Sequence, residues 1–400
     1  MDLHTESTYW LLKNGYDHSY PPLLSDIKTD VCILGAGITG ALASYALQKA
    51  GLDVVVVDKR HPGMGSTAAS TALLQYEIDA PLYKLIKTAG RNRAENAYLA
   101  CRDAIQSIGD IVKKEKLSVG FSQLPSFQYA SRKKDAIHLE EELSARQRIG
   151  LEVDWLDREE IEKRFKFPAP AGLLSKNGAQ IGAFRMTHAL LSRKATNLHV
   201  FDTTKIISID CRKRGVRLRT RCGHTIRADK LVVACGYESQ KLIPFKVVDL
   251  STTYAFISKP VSPDLFWEHN ALIWETKTPY LYMRTTPDNC VLVGGRDDKK
   301  PYDGKKRRRR LDRKIRGLLD DVQTLRPDLP LYPEFSWAGT FGGTKDALAY
   351  VGDIPSMANT YFILGFGGNG IVFSQTGAQI VRDRILGKEN PLTDLYTFDR

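Results

Sequence analysis

The sequence predicts an α/β fold in which a parallel β-α-β unit is interleaved with a second unit built on antiparallel strands. Three observations carry this expectation. A short apolar run, Val31 to Leu34, leads into Gly35-Ala36-Gly37-Ile38-Thr39-Gly40 and then a helical stretch, Ala41 to Ala50, that stops at Gly51 in the position of a left-handed cap. A β-branched run, Val54 to Val57, ends at Asp58 and completes the unit within about 30 residues. Short strand-like runs then recur from Leu198 to Gly294, and the chain closes on a glycine-rich turn and a last helix.

Composition bounds the answer. With 400 residues, 42% hydrophobic and 26% charged, the chain can bury two or three cores, which excludes disordered and collagen-like classes. No window of about 18 uninterrupted apolar residues occurs, and Met1, Asp2, His4 and Glu6 offer neither the basic start nor the apolar run of a signal peptide, so a spanning or secreted chain is not expected. Cys32, Cys101, Cys211, Cys222, Cys235 and Cys290 are dispersed, without a C-x-x-C pair. They indicate neither a metal site nor a disulfide scaffold, and a cytoplasmic location is expected. The net charge of +12 is concentrated: Lys305 to Arg316 holds nine basic residues and one acid, a net of +8, which leaves +4 for the rest of the chain.

The remaining elements follow from local pattern. Long helices are expected across Pro81 to Lys116 and strands across Ser118 to Ala130, with a polar helix over Lys134 to Gly150. Lys205 to Asp210, Val216 to Thr220, Ala228 to Gly236, Ser251 to Ser258, Ala271 to Glu275, Tyr280 to Thr285 and Cys290 to Gly294 read as strands. The basic segment reads as a helix, and Ile371 to Leu386 as the closing helix.

The chemistry begins at the glycine turn. A G-x-G-x-x-G placed between strand and helix, with Asp58 18 residues after the last glycine, is the arrangement that holds a dinucleotide. Gly35 makes the tight turn, Gly37 lets backbone approach a pyrophosphate, and Gly40 lets the helix pack on the strand. The amides and the positive dipole end around Ile38 and Thr39 receive phosphate. Asp58 accepts hydrogen bonds from ribose hydroxyls and would repel a 2′-phosphate, which disfavours NADP. Lys59 to Thr71, containing Gly65, Ser66 and Thr67, is a small-residue loop suited to close approach of a second phosphate and a ring system, although it also reads as a solvated Gly/Ser loop. Gly365 to Ile371 supplies a second amide-rich helix start, one that a flavin can use when negative charge develops at its N1–C2 edge on reduction.

With these pieces in place the chain resembles the D-amino-acid oxidase-like family of FAD-dependent oxidoreductases, the group with glycine, sarcosine and gamma-glutamylputrescine oxidases. The resemblance runs through Ser7-Thr8-Tyr9-Trp10, Thr29 to Gly40, Asp58, Gly65-Ser66-Thr67, Ala228 to Gly236, Gly294-Gly295 and Trp337 to Gly370. It implies an α/β architecture: a Rossmann-like FAD-binding domain of the glutathione-reductase type, with an interleaved α+β substrate domain on an antiparallel sheet. The expected division is 1–84, 180–242 and 336–400 for the FAD domain, and 85–179 and 243–335 for the substrate domain. It implies cofactor contacts from Gly35, Gly37, Ile38, Thr39, Gly40, Asp58, Lys59, Gly65, Ser66, Thr67, Thr71, Leu73, Gly236, Gly367, Gly368, Asn369, Gly370 and Ile371, with Ile206 beside the adenine. Ala69 stands where histidyl-linked members carry His, and Phe341 to Asp346 lacks the Cys of cysteinyl-linked members, so the resemblance implies non-covalent FAD. Ala183 and Ala349 replace prolines common in the family.

The implied reaction is hydride transfer from a small amine or amino acid at its C–N bond to flavin N5, the product being an imine that water hydrolyses. The acceptor that reoxidises the flavin is oxygen, a quinone or another carrier. A 2-hydroxy acid or polyol phosphate, oxidised at C–OH, is the alternative donor. Strand alternation puts Tyr280, Tyr282 and Arg284 on one face, where Arg284 suits a carboxylate, though an arginine on a solvated edge fits the pattern equally. Tyr254 and Trp274 are candidate pocket walls that also read as core aromatics. Gln75 reads as part of a packed turn, and His188 and His61 as structural histidines. No catalytic acid or base is assigned. Lys305 to Arg316 is a candidate contact for an anionic membrane surface, placing the protein in the cytoplasm or at the membrane periphery; it lacks interleaved aromatics, so no specific nucleic acid is expected.

Overall fold

The computed structural model describes residues 1–5, 8–15 and 18–400; Glu6 and Ser7, used in the sequence reading, lie outside the described residues. The apolar runs that open the chain become the middle of an eight-stranded sheet. Its parallel strands lie in the order Thr360–Leu364, Thr225–Val233, Ile27–Leu34, Val54–Val57 and Leu198–Phe201, with Tyr350–Asp353 antiparallel at one edge. Val54 to Val57 are all fully buried, as they must be in a parallel strand covered on both faces. One face is covered by the helices Ile38–Lys49, Arg91–Lys114 and Gly370–Ile385, and the antiparallel ribbon Ile206–Cys211 and Val216–Thr220 extends from Thr225–Val233.

A nine-stranded sheet forms the second layer. Its order is Pro333–Gly343, Asp249–Ser258, Val291–Asp298, Tyr282–Thr285, Leu272–Glu275, Ser122–Tyr129, Gly172–Gln180 and Leu73–Leu74, with Val153–Leu156 added to Gly172–Gln180. The sheet is antiparallel except where Leu272–Glu275 runs parallel to Ser122–Tyr129. Leu73–Leu74 joins it directly after the small-residue loop, so the chain passes from one sheet to the other within that loop.

Leu73–Leu74, Val153–Leu156, Tyr350–Asp353 and two longer strands were not expected. Gly172–Gln180 contains Gly, Lys and Asn and shows no clean alternation, yet it pairs with three neighbours. Its glycines serve close approach: a Cβ at Gly172 would lie 2.4 Å from the Phe127 ring, and one at Gly178 2.7 Å from the Leu124 carbonyl oxygen. Pro333–Gly343 is likewise hidden by its glycines.

The basic segment forms the first half of the helix Gly304–Leu325, whose Ile315, Leu318 and Val322 pack on the large sheet. Its charges divide by face. Arg307 is buried and donates to Thr340 Oγ1 at 2.8 Å, while Arg310 and Lys314 both pair with Asp298, at 2.7 and 2.8 Å. Lys305, Lys306, Arg308, Arg309, Arg313 and Arg316 are exposed. Part of the +8 therefore belongs to the interior, where the helix is fastened to the sheet. Among the described residues no helix is long and apolar enough to cross a membrane.

Gly40 is where the first helix touches its strand: a Cβ there would sit 1.8 Å from the Gly35 carbonyl oxygen. We expect Gly40→Ala to lower the stability of the apoprotein by about 1–3 kcal/mol, read from the urea midpoint, because the helix must move off the strand.

Candidate active site

Between the two sheets lies a cleft of ≈ 990 Å³, large enough for an extended ligand. Its nucleotide end is built by the glycine turn. Gly35 has φ +114°, and a Cβ on it would lie 2.4 Å from the Ala234 carbonyl oxygen, so only glycine lets the end of Ile27–Leu34 meet that of Thr225–Val233. Asp58 accepts from the Ala36 amide at 2.8 Å and from the Arg60 amide at 2.9 Å. Burial raises its pKa and these two amides pull it back, with a net rise. Ile38 N–H donates to Thr67 Oγ1 at 3.0 Å, so the helix start is tied to the loop expected to receive the second phosphate. Glu238 binds Lys59 at 2.7 Å, Arg60 at 2.9 Å and the Met1 amino group at 2.9 Å. Although burial opposes it, these cations hold its carboxyl down at about 2.

The opposite, inner end is organised by the loop Ala69 to Thr71. Trp337 Nε1 donates to the Ala69 carbonyl at 2.9 Å, Trp10 Nε1 to Ser70 at 2.6 Å and Arg284 Nε to Thr71 at 2.8 Å. Three consecutive carbonyls are thus each held by a large side chain from a different part of the chain. The closing turn completes this end. Gly367 has φ +77° and donates to the Gly342 carbonyl at 2.8 Å, and Gly368 N–H donates to Asp79 Oδ2 at 2.8 Å. Asp79 Oδ1 accepts from the Tyr280 hydroxyl at 3.0 Å. Tyr282 lies over Gly294, where a Cβ would come 2.2 Å from its hydroxyl oxygen.

The cleft gathers Gly35, Gly37, Ile38, Thr39, Asp58, Lys59, Gly65, Ser66, Thr67, Thr71, Leu73, Ile206, Gly236, Gly367, Gly368, Gly370, Ile371 and Tyr282 along its walls. Five predicted residues are elsewhere, among them Trp274, whose indole N–H donates to Ser126 Oγ at 3.1 Å. Gly40 sits under the turn as a packing glycine. Asn369 spends its side-chain amide on the Gln75 and Glu77 carbonyls, at 2.7 and 2.9 Å. Arg284 is 2% exposed and does not line the cleft; besides Thr71 it donates to Gln180 Oε1 at 2.6 Å, and its guanidinium lies 5.5 Å from the Trp10 ring. Burial pulls its pKa down to about 10, so it acts as a buried support. Tyr254 faces away from the cleft, because its neighbours Thr253 and Ala255 line it; the Tyr254 hydroxyl donates to Asp298 at 2.7 Å. Arg284 stands two residues from Tyr282 in the strand Tyr282–Thr285, but the loop and Trp10 cover its position. Gln75, read as part of a packed turn, lines the cleft while donating to Ser126 Oγ at 3.0 Å. His61 and His188 stack at 5.3 Å, outside the cleft.

Asp297 was not assigned a role by sequence. It lines the inner end, where burial raises its carboxyl to about 6 against the pull of Thr253.

Residues 30–384 match the family described as FAD dependent oxidoreductase (DAO). The chain belongs to this family of FAD-dependent oxidoreductases. It is 24% identical to a putative Rieske 2Fe-2S iron-sulfur protein of Bacillus subtilis over 98% of this chain and 75% of that one. It is 24% identical to the glycine oxidase of Geobacillus kaustophilus over 93% of this chain and 96% of that one, whose crystal structure superposes with a TM-score of 0.77 at 20% identity, covering 93% and 99% of the chains. Gamma-glutamylputrescine oxidoreductase of Escherichia coli is 22% identical over 97% of this chain and 90% of that one. The glycine cradles and the two helix starts on one cleft fit FAD.

Two outcomes are expected. Arg284→Met should weaken FAD retention by about tenfold, measured by equilibrium binding to apoprotein, while the flavin-replete variant keeps its KM, because the change removes support from Thr71. Asp297, raised from 3.8 to about 6, binds a proton more tightly folded than unfolded, so it costs stability as pH rises through that window. Asp297→Asn should therefore gain about 1–3 kcal/mol relative to the parent apoprotein between pH 4 and pH 7.5, read by denaturant titration.

Proposed function

We propose that this FAD-dependent oxidoreductase oxidises a small amine or amino acid at its C–N bond. The observation that carries the reading is the inner end of the cleft, walled by Tyr280, Tyr282, Thr253, Ala255, Trp337 and Phe341, with no histidine, lysine or cysteine lining it among the described residues. Transfer of a hydride from carbon demands position and dryness, and a neutral amine needs no protein base for it. Such a wall is suited to that task. Glycine oxidase and gamma-glutamylputrescine oxidoreductase among the relatives agree in kind.

Bound in the cleft, FAD supplies the hydride acceptor. The protein's part is to hold the substrate carbon over the clamped Ala69 to Thr71 loop and to exclude water with the tyrosine wall. The C–H bond breaks with its electron pair, the amine nitrogen forms the C=N bond, and water then releases the carbonyl product and the amine or ammonia. Oxygen, a quinone or another carrier reoxidises the cofactor. We propose that FAD is held without a covalent bond, since Ala69, next to Gly339, offers no nucleophile.

Anaerobic titration of the yellow holoprotein tests the donor without assuming the acceptor. Amines should bleach the flavin, whereas 2-hydroxyglutarate and glycerol 3-phosphate should not; the reverse pattern overturns the reading. Acid precipitation should leave the flavin in the supernatant, and flavin retained in the pellet would show a covalent link.

A further inference from the structure

The basic side chains along the cleft are confined to one end, where Asp58, Asp210 and Glu238 accompany them. The lysines and arginines that line it among the described residues are Lys59, Arg60, Lys205 and Lys241, all at the nucleotide end. The inner end carries no cation to meet a substrate carboxylate. What charge it has is negative.

That charge is placed by a local irregularity in the strand Val291–Asp298. Its register with Asp249–Ser258 shifts between Thr252 and Tyr254, and Arg296 adopts φ +53°. Alternation sends two consecutive acids to opposite sides of the sheet, and the shift, which sets Asp298 rather than Asp297 opposite Thr252, decides which of them faces the cleft. Asp298 faces the helix Gly304–Leu325 and is satisfied by Arg310, Lys314 and the Tyr254 hydroxyl. Asp297 faces the cleft, and its Oδ1 is buried without a hydrogen-bond partner. Asp297 also borders a smaller cavity lined by Lys277, Arg296 and Lys314: Lys314 is committed to Asp298 and the Arg296 carbonyl, Arg296 to Asp321 at 2.6 Å, and Lys277 is exposed. Asp79 adds a second carboxylate next to this end, fixed by Tyr280 and by the Gly368 amide. A buried carboxylate beside another, with phenol rings around it, is matched by a cation and repels an anion.

Building on the amine reading above, we propose that the substrate carries a second, non-reacting cationic group and that Asp297, with Asp79 beside it, receives that group at the inner end of the cleft. The preferred donor is therefore an alkyl diamine or longer polyamine, oxidised at one nitrogen while the other stays an ammonium ion. An α-amino acid would bring its carboxylate to a site lined by the Asp297 carboxylate, with exposed Asp79 outside its wall and, among the described residues, no cation. Asp297 is a specificity-determining residue here, since it binds the end of the substrate that does not react. Tyr280 and Tyr282 supply ring faces to the same cation.

The test uses the holoenzyme with two matched donors, an α,ω-diamine and the n-alkylamine of equal length, together with glycine, sarcosine and D-alanine. Flavin reduction should be most efficient with the diamine. Asp297→Asn should raise the diamine KM by about 10- to 100-fold with kcat little changed, and leave the monoamine KM within about twofold. Asp297→Glu, which keeps the charge, should recover part of the loss. A bis-quaternary alkane should inhibit the parent competitively and the Asn variant weakly. The proposal is overturned if the carboxylate-bearing amino acids reduce the flavin as efficiently as the diamine, or if Asp297→Asn affects diamine and monoamine alike. Reduction by hydroxy acids and by no amine at all would instead overturn the amine reading itself. Retained flavin absorbance in each variant shows that the fold is intact.

Discussion

The architecture turns on three consecutive backbone carbonyls. Ala69, Ser70 and Thr71 bridge the two sheets, and each is held by a different large side chain: Trp337 from the edge strand of the large sheet, Trp10 from the N-terminal helix, and Arg284 from a middle strand. A buried carbonyl without a donor is costly, so these three bonds fix both the loop and the side chains that reach it. The loop in turn holds the first helix, because Thr67 accepts from the Ile38 amide. Displacing any one of these groups would loosen the nucleotide end and the inner end of the cleft together.

Glycines make the close approaches that this arrangement needs. Gly35 brings two parallel strand ends together, Gly40 seats the first helix, and Gly294 makes room for the Tyr282 ring. The first two keep the nucleotide end compact, and the third shapes the substrate end. Charge follows the same division. The nucleotide end has Lys59 and Arg60 gathered on Glu238, whereas the inner end is lined by Asp297, with Asp79 exposed outside it on the Gly368 amide. This polarity suits a cofactor with phosphates at one end and a cationic donor at the other.

The nucleotide end was legible because its chemistry is local: a turn, a helix start and Asp58 lie within one β-α-β unit, and each glycine's role follows from its spacing. The last glycine turn was legible for the same reason. The substrate end was not. Alternation correctly grouped Tyr280, Tyr282 and Arg284, but it reports only a side of the strand, and Arg284 is covered on that side by Trp10 and the Thr71 backbone. Tyr254 looked like a wall residue because aromatic side chains suit pockets, and register turned it toward Asp298. The basic run showed its density in sequence but not its division, in which Arg307, Arg310 and Lys314 face inward.

By itself the sequence determined the β-α-β unit and the glycine turn within it, because each depends on neighbours in the chain. Only the tertiary structure decided which side chains enter the cleft. Asp297 and Asp298 are adjacent in sequence and chemically identical; alternation parts them, and a shift in strand register decides that Asp297 meets the cleft and Asp298 the pair of cations. Nothing local distinguishes them; the difference lies in what the folded sheet places on each of its faces.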